Sequence, residues 1–344
     1  FPNVDRSNYV NECEMWGETM GNEKYLMGVA AVADYLQVHY NTAHKLITNG
    51  TIPATKVGAQ WRVKVEDIDA YIHSSMSESN ERVDLPEIIA IVNQKGGVGK
   101  STLSINLSEA LGKLGKKVLL MDLDPQSNSS TGVGINAEAM AIATITEVLI
   151  DSFPIHEAIV DSKFGFDIIP TTIALSEAEM ELIMRMSRES VLFNALQASQ
   201  EHLAKYDYIL IDCPPSLGLL TINALAAADS CLVPIAVSKF SLEGVKLLLK
   251  TVSSVRQINK KLTINRFVIT MADYRTNTTK EFIATMPEVI QYPFARTVIK
   301  KLNAVSEAQF NDQPIGAYDA NSEAAQQFME LAKEIVTSVE SEAM

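Results

Sequence analysis

The stretch IIAIVNQKGGVGKSTLSINLSEAL, residues 88–111, places an apolar run, a glycine-rich loop and a helix-forming segment in direct succession. Gly96, Gly97 and Gly99 allow the backbone N–H groups of the loop to converge on one point. The first turn of the following helix adds unpaired N–H groups and the partial positive charge of the helix dipole. Strand, glycine loop and helix in this order therefore predict a phosphate-binding site.

The residues that end the loop carry the side chains that a phosphate site needs. Lys100 is predicted to reach the β- and γ-phosphates of a nucleotide, Ser101 to coordinate Mg²⁺ through its hydroxyl, and Thr102 to support the α-phosphate. The complete predicted nucleotide-binding set is Gly96, Gly97, Val98, Gly99, Lys100, Ser101 and Thr102. The helix is supported by one apolar stripe, made of Leu103, Leu107, Ala110 and Leu111.

From residue 85 onward, apolar strand-like runs alternate with helical stretches. The runs are EIIAIVN, KVLLMD, FDIIP, YDYILID, SCLVPI and NRFVIT, at residues 87–93, 117–122, 166–170, 206–212, 230–235 and 265–270. Alternation of this kind predicts the α/β class, with a mostly parallel sheet covered by helices on both faces.

Length and charge limit the class of protein. At 344 residues the chain is long enough for one large α/β domain and one small module. Its formal net charge of −13 argues against nucleic-acid binding over the whole surface, because such binding draws its affinity from Lys and Arg facing phosphates. Contacts with DNA are therefore expected from local basic patches. No apolar run reaches the length of a membrane span and the polar first residues do not form a signal peptide, so we expect a cytoplasmic protein.

Shifts in composition predict the domain boundaries. Residues 74–84, SSMSESNERVD, are polar and lack a periodic apolar face, which is typical of a linker. The predicted organisation is an N-terminal extension at residues 1–24, a small module at 25–73, this linker, and a large α/β domain at 85–344.

One departure from the common GxxxxGK[ST] form makes the loop distinctive. Gln94 occupies the first glycine position, and a second lysine, Lys95, follows it. The loop KGGVGKST at residues 95–102 resembles the deviant Walker loop of the ParA and MinD family of ATPases. That resemblance implies a P-loop NTPase fold that binds ATP with Mg²⁺ and hydrolyses it to ADP. It also implies a homodimer that sandwiches ATP, in which Lys95 reaches the nucleotide of the partner subunit much as an arginine finger does.

Two further segments match the same family at the ends of predicted strands. KVLLMDLDPQSN contains Asp122 and Asp124, and YDYILIDCPPSLG contains Asp212. An Asp that ends a buried parallel strand lies at the carboxyl edge of the sheet, where α/β proteins bind ligands. The resemblance implies that Asp212 holds the magnesium shell through water and that Asp124 orients the attacking water. The predicted metal set is Ser101, Asp122 and Asp212, and the predicted catalytic set is Lys95, Lys100, Asp124 and Asp212.

Residues 25–73 resemble the winged helix-turn-helix modules of excisionase and MerR-like proteins. The pattern predicts two helices separated by a turn at residues 37–39, the second ended by Gly50, and then a hairpin over residues 52–63 with Gly58 at its turn. In a DNA reader the exposed side of the second helix enters the major groove. The predicted DNA contacts of the module are Tyr40, Asn41, Thr42, His44 and Lys45 on that helix, with Lys56 and Arg62 on the hairpin.

The charge of this module leaves a second interpretation open. Its four basic residues are matched by four acidic ones, so its formal charge is four minus four, or zero. This balance weakens the phosphate contribution on which DNA binding usually rests. Docking of a protein is therefore the alternative to DNA reading.

A second group of basic residues follows residue 270. The segments FVITMADYRTN at 267–277 and FARTVIKKLNAVSEAQFNDQPI at 294–315 also resemble the ParA and MinD family. A stripe for nonspecific DNA is predicted from Arg275, Lys280, Arg296, Lys300 and Lys301, formed when two subunits pair. The final helical stretch lacks the basic amphipathic tail that MinD-like membrane targeting needs, so no membrane partner is expected.

The resemblance implies an ATPase that partitions plasmids or chromosomes, associates with the nucleoid and works with a ParB-like centromere-binding adaptor. Two alternatives stay open, a nucleotide-switched DNA-binding regulator and a cargo-positioning ATPase that docks a protein through its N-terminal module. The nitrogenase iron protein shares the loop, but Cys213 and Cys231 lack the segments that surround its cluster-ligating cysteines. Together with Cys13 they are predicted to be reduced structural thiols.

Overall fold

The structure is a computed structural model, and it describes residues 26–36, 40–58, 60–65, 67–68, 86–238 and 241–342. The chain divides into two compact units, Phe1–Val83 and Asp84–Met344, which are described in turn. The predicted extension at residues 1–24, the predicted linker at 74–84 and Cys13 lie outside the described residues.

The small unit combines two helices with an antiparallel sheet. Its elements are β1 (Leu26–Met27), α1 (Val29–Leu36), α2 (Tyr40–Thr48), β2 (Thr55–Val57) and β3 (Gln60–Lys64). β3 lies between β1 and β2 and pairs antiparallel with both. Gly50 follows α2 with a φ of 82°, and Gly58 joins β2 to β3 with a φ of 62°. The two helices and the hairpin are therefore confirmed, while the predicted turn at 37–39 lies outside the described residues.

A small apolar core holds this unit together. Val32 of α1 is buried against Ala43 and Ile47 of α2, and Val63 of β3 closes the core from the sheet side. Because the buried residues of α2 are four apart, they occupy one face of the helix. The opposite face of α2 is left exposed.

The large unit is built on one sheet. Its strands within the described residues are β4 (Glu87–Ile91), β5 (Val118–Asp122), β6 (Val160–Asp161), β7 (Asp167–Ile169), β8 (Tyr208–Asp212), β9 (Ser230–Ala236) and β10 (Thr263–Thr270). Their order across the sheet is β10-β9-β4-β8-β5-β7-β6, and all pairs are parallel except β6 with β7. The six predicted strands are confirmed. β6 escaped prediction because two residues are too few to show a period.

Helices connect these strands. They are α3 (Lys100–Lys113), α4 (Asn128–Thr131), α5 (Ala137–Met140), α6 (Ile145–Ile150), α7 (Leu175–Leu182), α8 (Val191–Ala198), α9 (Gln200–Leu203), α10 (Leu219–Ala227), α11 (Ser241–Val255), α12 (Asn277–Val289), α13 (Asn303–Phe310), α14 (Ile315–Tyr318) and α15 (Glu323–Glu342). Within the described part of the chain, none of the helices has both the length and the apolar character to cross a bilayer.

Neighbouring strand residues belong alternately to two apolar cores. In β8, Leu210 packs into one core and Ile209 and Ile211 into the other. Side chains of a strand point to opposite faces in turn, so both faces of the sheet are covered. This arrangement confirms the predicted α/β class.

The glycine-loop helix α3 and the last helix α15 share one of these cores. The predicted stripe of α3 is buried, including Leu103 and Leu107. On α15 the buried positions are Ala324, Phe328, Leu331, Ala332 and Ile335. One apolar face of α15 therefore packs into the same core as α3.

Candidate nucleotide site

Three strand ends meet at the centre of the carboxyl edge of the sheet. β4, β8 and β5 are consecutive neighbours, and Asp122 at the end of β5 is in register with Asp212 at the end of β8. Ile91, the last residue of β4, is in register with Asp212 on its other side. The glycine loop leaves β4 at this edge, so both carboxylates lie beside it.

Two glycines of the loop have a left-handed backbone conformation, which glycine adopts more readily than other residues. Gly97 has a φ of 71° and Gly99 a φ of 86°, a region in which a side chain strains the backbone. Gly99 directly precedes α3, so the unpaired N–H groups of the first helical turn lie next to the loop. Val98 is buried, and its carbonyl oxygen accepts a 2.8 Å hydrogen bond from Thr270 Oγ1 at the end of β10. This bond ties the loop to a distant strand.

Lys100, the first residue of α3, is directed inward. Its side chain is buried, and its Nζ donates to the carbonyl oxygen of Lys95 at 3.4 Å. Burial lowers the pKa of Lys100, and the negative charge of Asp212 opposes that shift. An ammonium group that is already largely desolvated and faces the strand ends is suited to bind phosphate oxygens.

Lys95 is directed elsewhere. Its Nζ donates a 2.6 Å hydrogen bond to Ser238 Oγ, beyond the end of β9. Its backbone N–H donates to Asn93 Oδ1 at 2.9 Å, and Asn93 is itself anchored to the carbonyl oxygen of Pro234. A cavity of about 480 Å³ opens beside this lysine and is lined by Gln94, Lys95, Glu243, Gly244 and Leu247. The two lysines of the loop therefore have different surroundings within one chain.

Asp122 is fully buried, and both of its carboxylate oxygens are engaged. Oδ2 accepts from the backbone N–H of Ser130 at 2.8 Å and from its hydroxyl at 2.7 Å, while Oδ1 accepts from the N–H of Asp124 at 3.2 Å. Burial, and then the charge of Asp212, raise the pKa of Asp122 to about 8. These contacts make Asp122 a weaker candidate for a metal ligand than the sequence predicts.

Asp212 is equally buried but has an unsatisfied acceptor. Its Oδ2 accepts a 2.7 Å hydrogen bond from Ser129 Oγ, whereas its Oδ1 is buried without a well-aligned partner among the described residues. Burial raises the pKa of Asp212 to about 6, and the hydroxyl of Ser101 is among the groups that oppose the shift. A buried acceptor without a donor is costly unless a ligand or water satisfies it.

The donor set at this edge fits magnesium with a nucleotide rather than a cage of protein ligands. The described residues contain no group of three or more His, Cys, Asp or Glu side chains placed to hold a metal ion. Mg²⁺ typically takes one or two protein ligands and completes its shell with water and phosphate oxygens. Ser101 and the Oδ1 atom of Asp212 meet that requirement.

A cavity of about 420 Å³ extends from the glycine loop to the carboxylate of Asp124. Asp124 is buried at its wall, and its Oδ1 accepts from the N–H of Gln126 at 3.0 Å. The cavity is lined by Gly96, Gly97, Gly99, Lys100, Ser101, Thr102, Asp124, Gln126, Asn128, Thr131, Gly132, Pro215, Met271, Gln309 and Asp312. Its size is in the range of small-molecule sites.

Sequence reasoning missed several residues of this cavity. Gln309 reaches it from the last turn of α13 and Asp312 from just beyond that helix, and Ser129 reaches Asp212 from α4. None of them belongs to a pattern that marks phosphate chemistry. For Gln309 and Asp312, the sequence offered one indication, their position within the segment 294–315 that resembles the family. It offered none for Ser129.

Comparison with known proteins agrees with this geometry. A family model described as an AAA domain matches residues 86–264, and one described as a helix-turn-helix domain matches residues 26–76. The sporulation initiation inhibitor protein Soj of Bacillus subtilis (strain 168) is 42% identical over 254 residues, 73% of this chain and 99% of that protein. The chromosome partitioning protein ParA of Caulobacter vibrioides (strain NA1000 / CB15N) is 39% identical over 252 residues, 73% of this chain and 94% of that protein. The chain belongs to the ParA/Soj family of partition ATPases.

A solved structure supports the same fold for this ParA/Soj-family chain. Cobyrinic acid a,c-diamide synthase from Mycobacterium smegmatis, with bound ADP and magnesium, is similar with a TM-score of 0.65 and 30% sequence identity. The similarity covers 75% of this chain and 96% of that one. This similarity confirms the predicted P-loop fold, and the family match at residues 26–76 confirms the helix-turn-helix module.

Among the predicted DNA contacts on the small unit of this ParA/Soj-family chain, Tyr40, Thr42, His44, Lys45 and Lys56 are exposed and Arg62 is half-buried. Tyr40 stacks on His44 along α2, with 6.1 Å between the ring centroids. Thr42 and Lys45 are also exposed on α2, and the side chain of Asn41 lies outside the described residues. On the hairpin, Lys56 lies over the ring of Trp61 at 5.6 Å, and Arg62 donates to Gln60 Oε1 at 2.6 Å. These roles stay predictions.

In the large unit of the ParA/Soj-family chain, three of the predicted basic residues come together. Arg275 makes two hydrogen bonds to the carboxylate of Asp273, at 2.8 and 2.7 Å. The bonds to Arg275, with a smaller contribution from Lys301, lower the pKa of Asp273 to about 2. Lys300 lies 5.1 Å from the ring centroid of Tyr274. We call Asp273, Tyr274, Arg275, Lys300 and Lys301 the basic cluster.

The other two predicted basic residues are placed differently. The backbone N–H of Arg296 donates to Glu334, and that of Lys300 donates to Gln327, seven residues earlier on α15. Seven residues of helix span about 10 Å, so Arg296 is set apart from Lys300 by that distance. Lys280 is exposed on α12 and makes no ion pair with a described residue. Lys300 itself pairs with Glu323.

Proposed function

We propose that this chain is a partition ATPase that binds ATP with Mg²⁺ at the glycine loop and hydrolyses it to ADP. One observation carries the proposal: Lys100, Asp124 and Ser101 line one cavity directly under the left-handed glycines of the loop. The buried, unsatisfied Oδ1 of Asp212 lies at the same edge.

Each residue of the site has a role in this proposal. The N–H groups around Gly97 and Gly99, together with Lys100, bind the β- and γ-phosphates. Ser101 and Asp212 would hold Mg²⁺, the latter through water, and the ion would supply positive charge to offset that of the phosphate oxygens. The free oxygen of Asp124 accepts a hydrogen bond from a water and orients it toward the γ-phosphate.

Asp122 has a supporting role in the same proposal. Its oxygens hold the N–H of Asp124 and both polar groups of Ser130. These bonds shape the turn that presents Asp124 to the cavity. A neutral Asp122 is compatible with that role, because burial and Asp212 favour its protonated form.

Lys95 has its role between subunits. It lies at an open cavity rather than among the phosphate-binding groups of its own chain, and its hydrogen bond to Ser238 is a contact that a stronger partner can replace. A phosphate of the partner's nucleotide is such a group, because its oxygens carry negative charge whereas the hydroxyl of Ser238 is neutral. We therefore propose an ATP-dependent homodimer.

The dimer is proposed to bind nonspecific DNA on the nucleoid and to work with a ParB-like adaptor in moving plasmid or chromosomal cargo. The basic cluster supports this proposal, since doubling it in a dimer adds phosphate contacts and so raises affinity. The carboxylates of Asp273, within the cluster, and of Glu323, beside it, limit the gain from one subunit alone.

A second function is supported by the helix-turn-helix match and by the exposed face of α2 with Tyr40 and Lys45. In it, the small unit reads an operator and the nucleotide state switches transcription. Selection of bound sequences from random duplexes distinguishes the two. If the selected duplexes share a sequence motif and Lys45→Ala abolishes that selection, the regulator is supported. If no shared motif emerges, partition remains the proposed function.

The direct test of the main proposal measures phosphate release by the full chain with ATP and Mg²⁺, with and without DNA. We expect turnover that ends when EDTA removes the metal and that is absent from Lys100→Ala. A wild-type chain that neither binds nor hydrolyses ATP contradicts the proposal.

A further inference from the structure

Gln309 contacts the glycine-loop helix at the wall of the nucleotide cavity. Its Nε2 donates a 2.7 Å hydrogen bond to Thr102 Oγ1, across a separation of 207 residues in sequence. Both residues line the cavity that also contains Lys100 and Asp124. The bond therefore joins the predicted α-phosphate contact to a residue that no motif of the loop contains.

The chemistry of a hydroxyl gives this bond a direction. A threonine hydroxyl has one proton to donate and two lone pairs to accept with. Elsewhere on α3, Ser104 and Ser108 donate their protons to carbonyl oxygens four residues earlier, at 2.9 and 2.7 Å. Thr102 differs, because its oxygen accepts from Gln309 and its proton meets no acceptor among the described residues. That proton is available to the cavity.

We propose that Gln309 is a positioning residue, which holds the Thr102 hydroxyl as a hydrogen-bond donor to a nucleotide phosphate. This inference rests on the nucleotide binding proposed above. Without the bond from Gln309, the hydroxyl of Thr102 is free to turn back and donate to a helix carbonyl, as Ser104 does and as helical Ser and Thr commonly do. The nucleotide would then have to compete with the helix for the same proton.

Two other hydrogen bonds fasten the segment of Gln309 to α3. The N–H of Ile315 donates to Asn106 Oδ1 at 2.6 Å, and Lys113 Nζ donates to the carbonyl oxygen of Gly316 at 2.7 Å. The segment is thus attached without Gln309. A change at Gln309 is expected to leave the fold intact and to act on Thr102 alone.

The test is a titration of the full chain with the fluorescent nucleotide mant-ADP in the presence of Mg²⁺. Gln309→Met keeps the length of the side chain and removes the donor, and we expect its dissociation constant to rise about three- to tenfold, the value of one hydrogen bond. Gln309→Glu is expected to bind more weakly still, because a carboxylate would take the Thr102 proton and repel the phosphates. Asn311→Ala, an exposed change at the end of the same helix, is the matched control and should bind as the wild type does.

A double-mutant cycle separates positioning from mere packing. Thr102→Val removes the hydroxyl at nearly constant volume, and adding Gln309→Met to it should cause no further loss of affinity. Additive losses would overturn the inference, as would a Gln309→Met protein that melts at a lower temperature but binds mant-ADP with wild-type affinity. If Gln309→Met fails to fold, Gln309→Leu, which also removes the donor without adding a charge, carries the same cycle.

The result also separates this inference from the proposed function. A wild-type chain that binds no mant-ADP overturns both. A wild-type chain that binds, with Gln309→Met and Gln309→Glu unchanged, overturns only the role of Gln309.

Discussion

The carboxyl edge of the sheet around Lys100, Asp122 and Asp212, which we call the nucleotide edge, and the basic cluster both contain charged side chains, but these are held in different ways. At the edge, Asp122 and Asp212 are buried at the ends of neighbouring strands and in register with each other. In the basic cluster, the side chain of Arg275 is 90% exposed and pairs with a residue two positions away. The first region is positioned by the sheet and the second by local, solvent-exposed pairs.

This difference predicts how each region responds to substitution. A buried charge that loses its partner is costly, whereas an exposed pair contributes about 0–1 kcal/mol. We therefore expect large, separable effects at the edge and small, additive ones in the basic cluster. The experiments below follow that order.

The largest effect is expected from Lys100→Ala. The change removes the buried ammonium group that we propose binds the phosphate oxygens, so we expect affinity for mant-ADP to fall on the order of a thousandfold. Lys117→Ala, an exposed change after the same helix, is the control. Retention of wild-type affinity by Lys100→Ala would place the phosphates elsewhere and remove the basis of the comparison.

Asp124→Ala is expected to separate binding from hydrolysis. If Asp124 orients the attacking water, turnover should fall by about a hundredfold or more while affinity for ATP changes little. Rapid-quench kinetics with radiolabelled ATP, beside equilibrium binding, measures both quantities. Parallel loss of binding and turnover would make Asp124 a structural residue of the cavity.

The reasons that sequence predicted part of this edge and missed the rest are physical. Asp122 and Asp212 were predictable because each ends an apolar run, and parallel strands bring their ends to one edge. Gln309 was not, because its hydrogen bond with Thr102 depends on packing across 207 residues and leaves no local period. The hydrogen bonds that occupy Asp122 were also not predictable, because Ser130 reaches its carboxylate only once α4 folds back over the strand end.

The basic cluster illustrates a second limit of sequence. Lys300 is basic in the sequence, but its pairing with Glu323, 23 residues later, depends on which surfaces meet. Helices, strands and the hairpin follow from periodicity and turn residues, whereas the net charge of a surface patch does not.

Lys95→Ala tests the loop lysine that contacts Ser238 rather than the nucleotide cavity. We expect mant-ADP affinity to stay close to wild type and ATP-dependent dimerisation, measured by sedimentation of the Asp124→Ala background, to weaken at least tenfold, because the change removes a charge-assisted bond across the interface. Ser238→Ala, which frees Lys95 within its own chain, is the control and should not weaken the dimer. Normal dimerisation by Lys95→Ala would contradict the role between subunits.

A smaller, graded effect is expected when Arg275, Lys300 and Lys301 are changed to Ala one after another. Removal of one cation from the DNA phosphates should flatten the slope of log affinity against log salt by about 0.9. Fluorescence anisotropy with a random duplex in ATP measures the slope, and Arg296→Ala is the control that lies about 10 Å away along α15. Glu323→Gln, which releases Lys300 from its pair, should steepen the slope. An unchanged slope in the triple variant would exclude the basic cluster as the DNA surface.

The smallest effect concerns stability, and here the substitution is expected to cause a gain rather than a loss. In the folded chain the pKa of Asp212 is about 6 and that of Asp122 about 8, both above the ordinary value for Asp, so the folded state binds protons more tightly than the unfolded chain. The contribution of these two carboxyl groups to stability is then fully present below about pH 4 and is lost as the pH rises through 6 for Asp212 and toward 8 for Asp122. In EDTA without nucleotide, Asp212→Asn removes this cost and the repulsion of Asp122, and should raise the melting temperature at pH 8 by about 3 °C, or on the order of 1 kcal/mol. Asp151→Asn, an exposed change, should leave the melting curve unaltered at every pH. A lower melting temperature for Asp212→Asn at pH 8 would mean that the buried carboxylate stabilises the fold, and the nucleotide edge would then be held together by its charges rather than despite them.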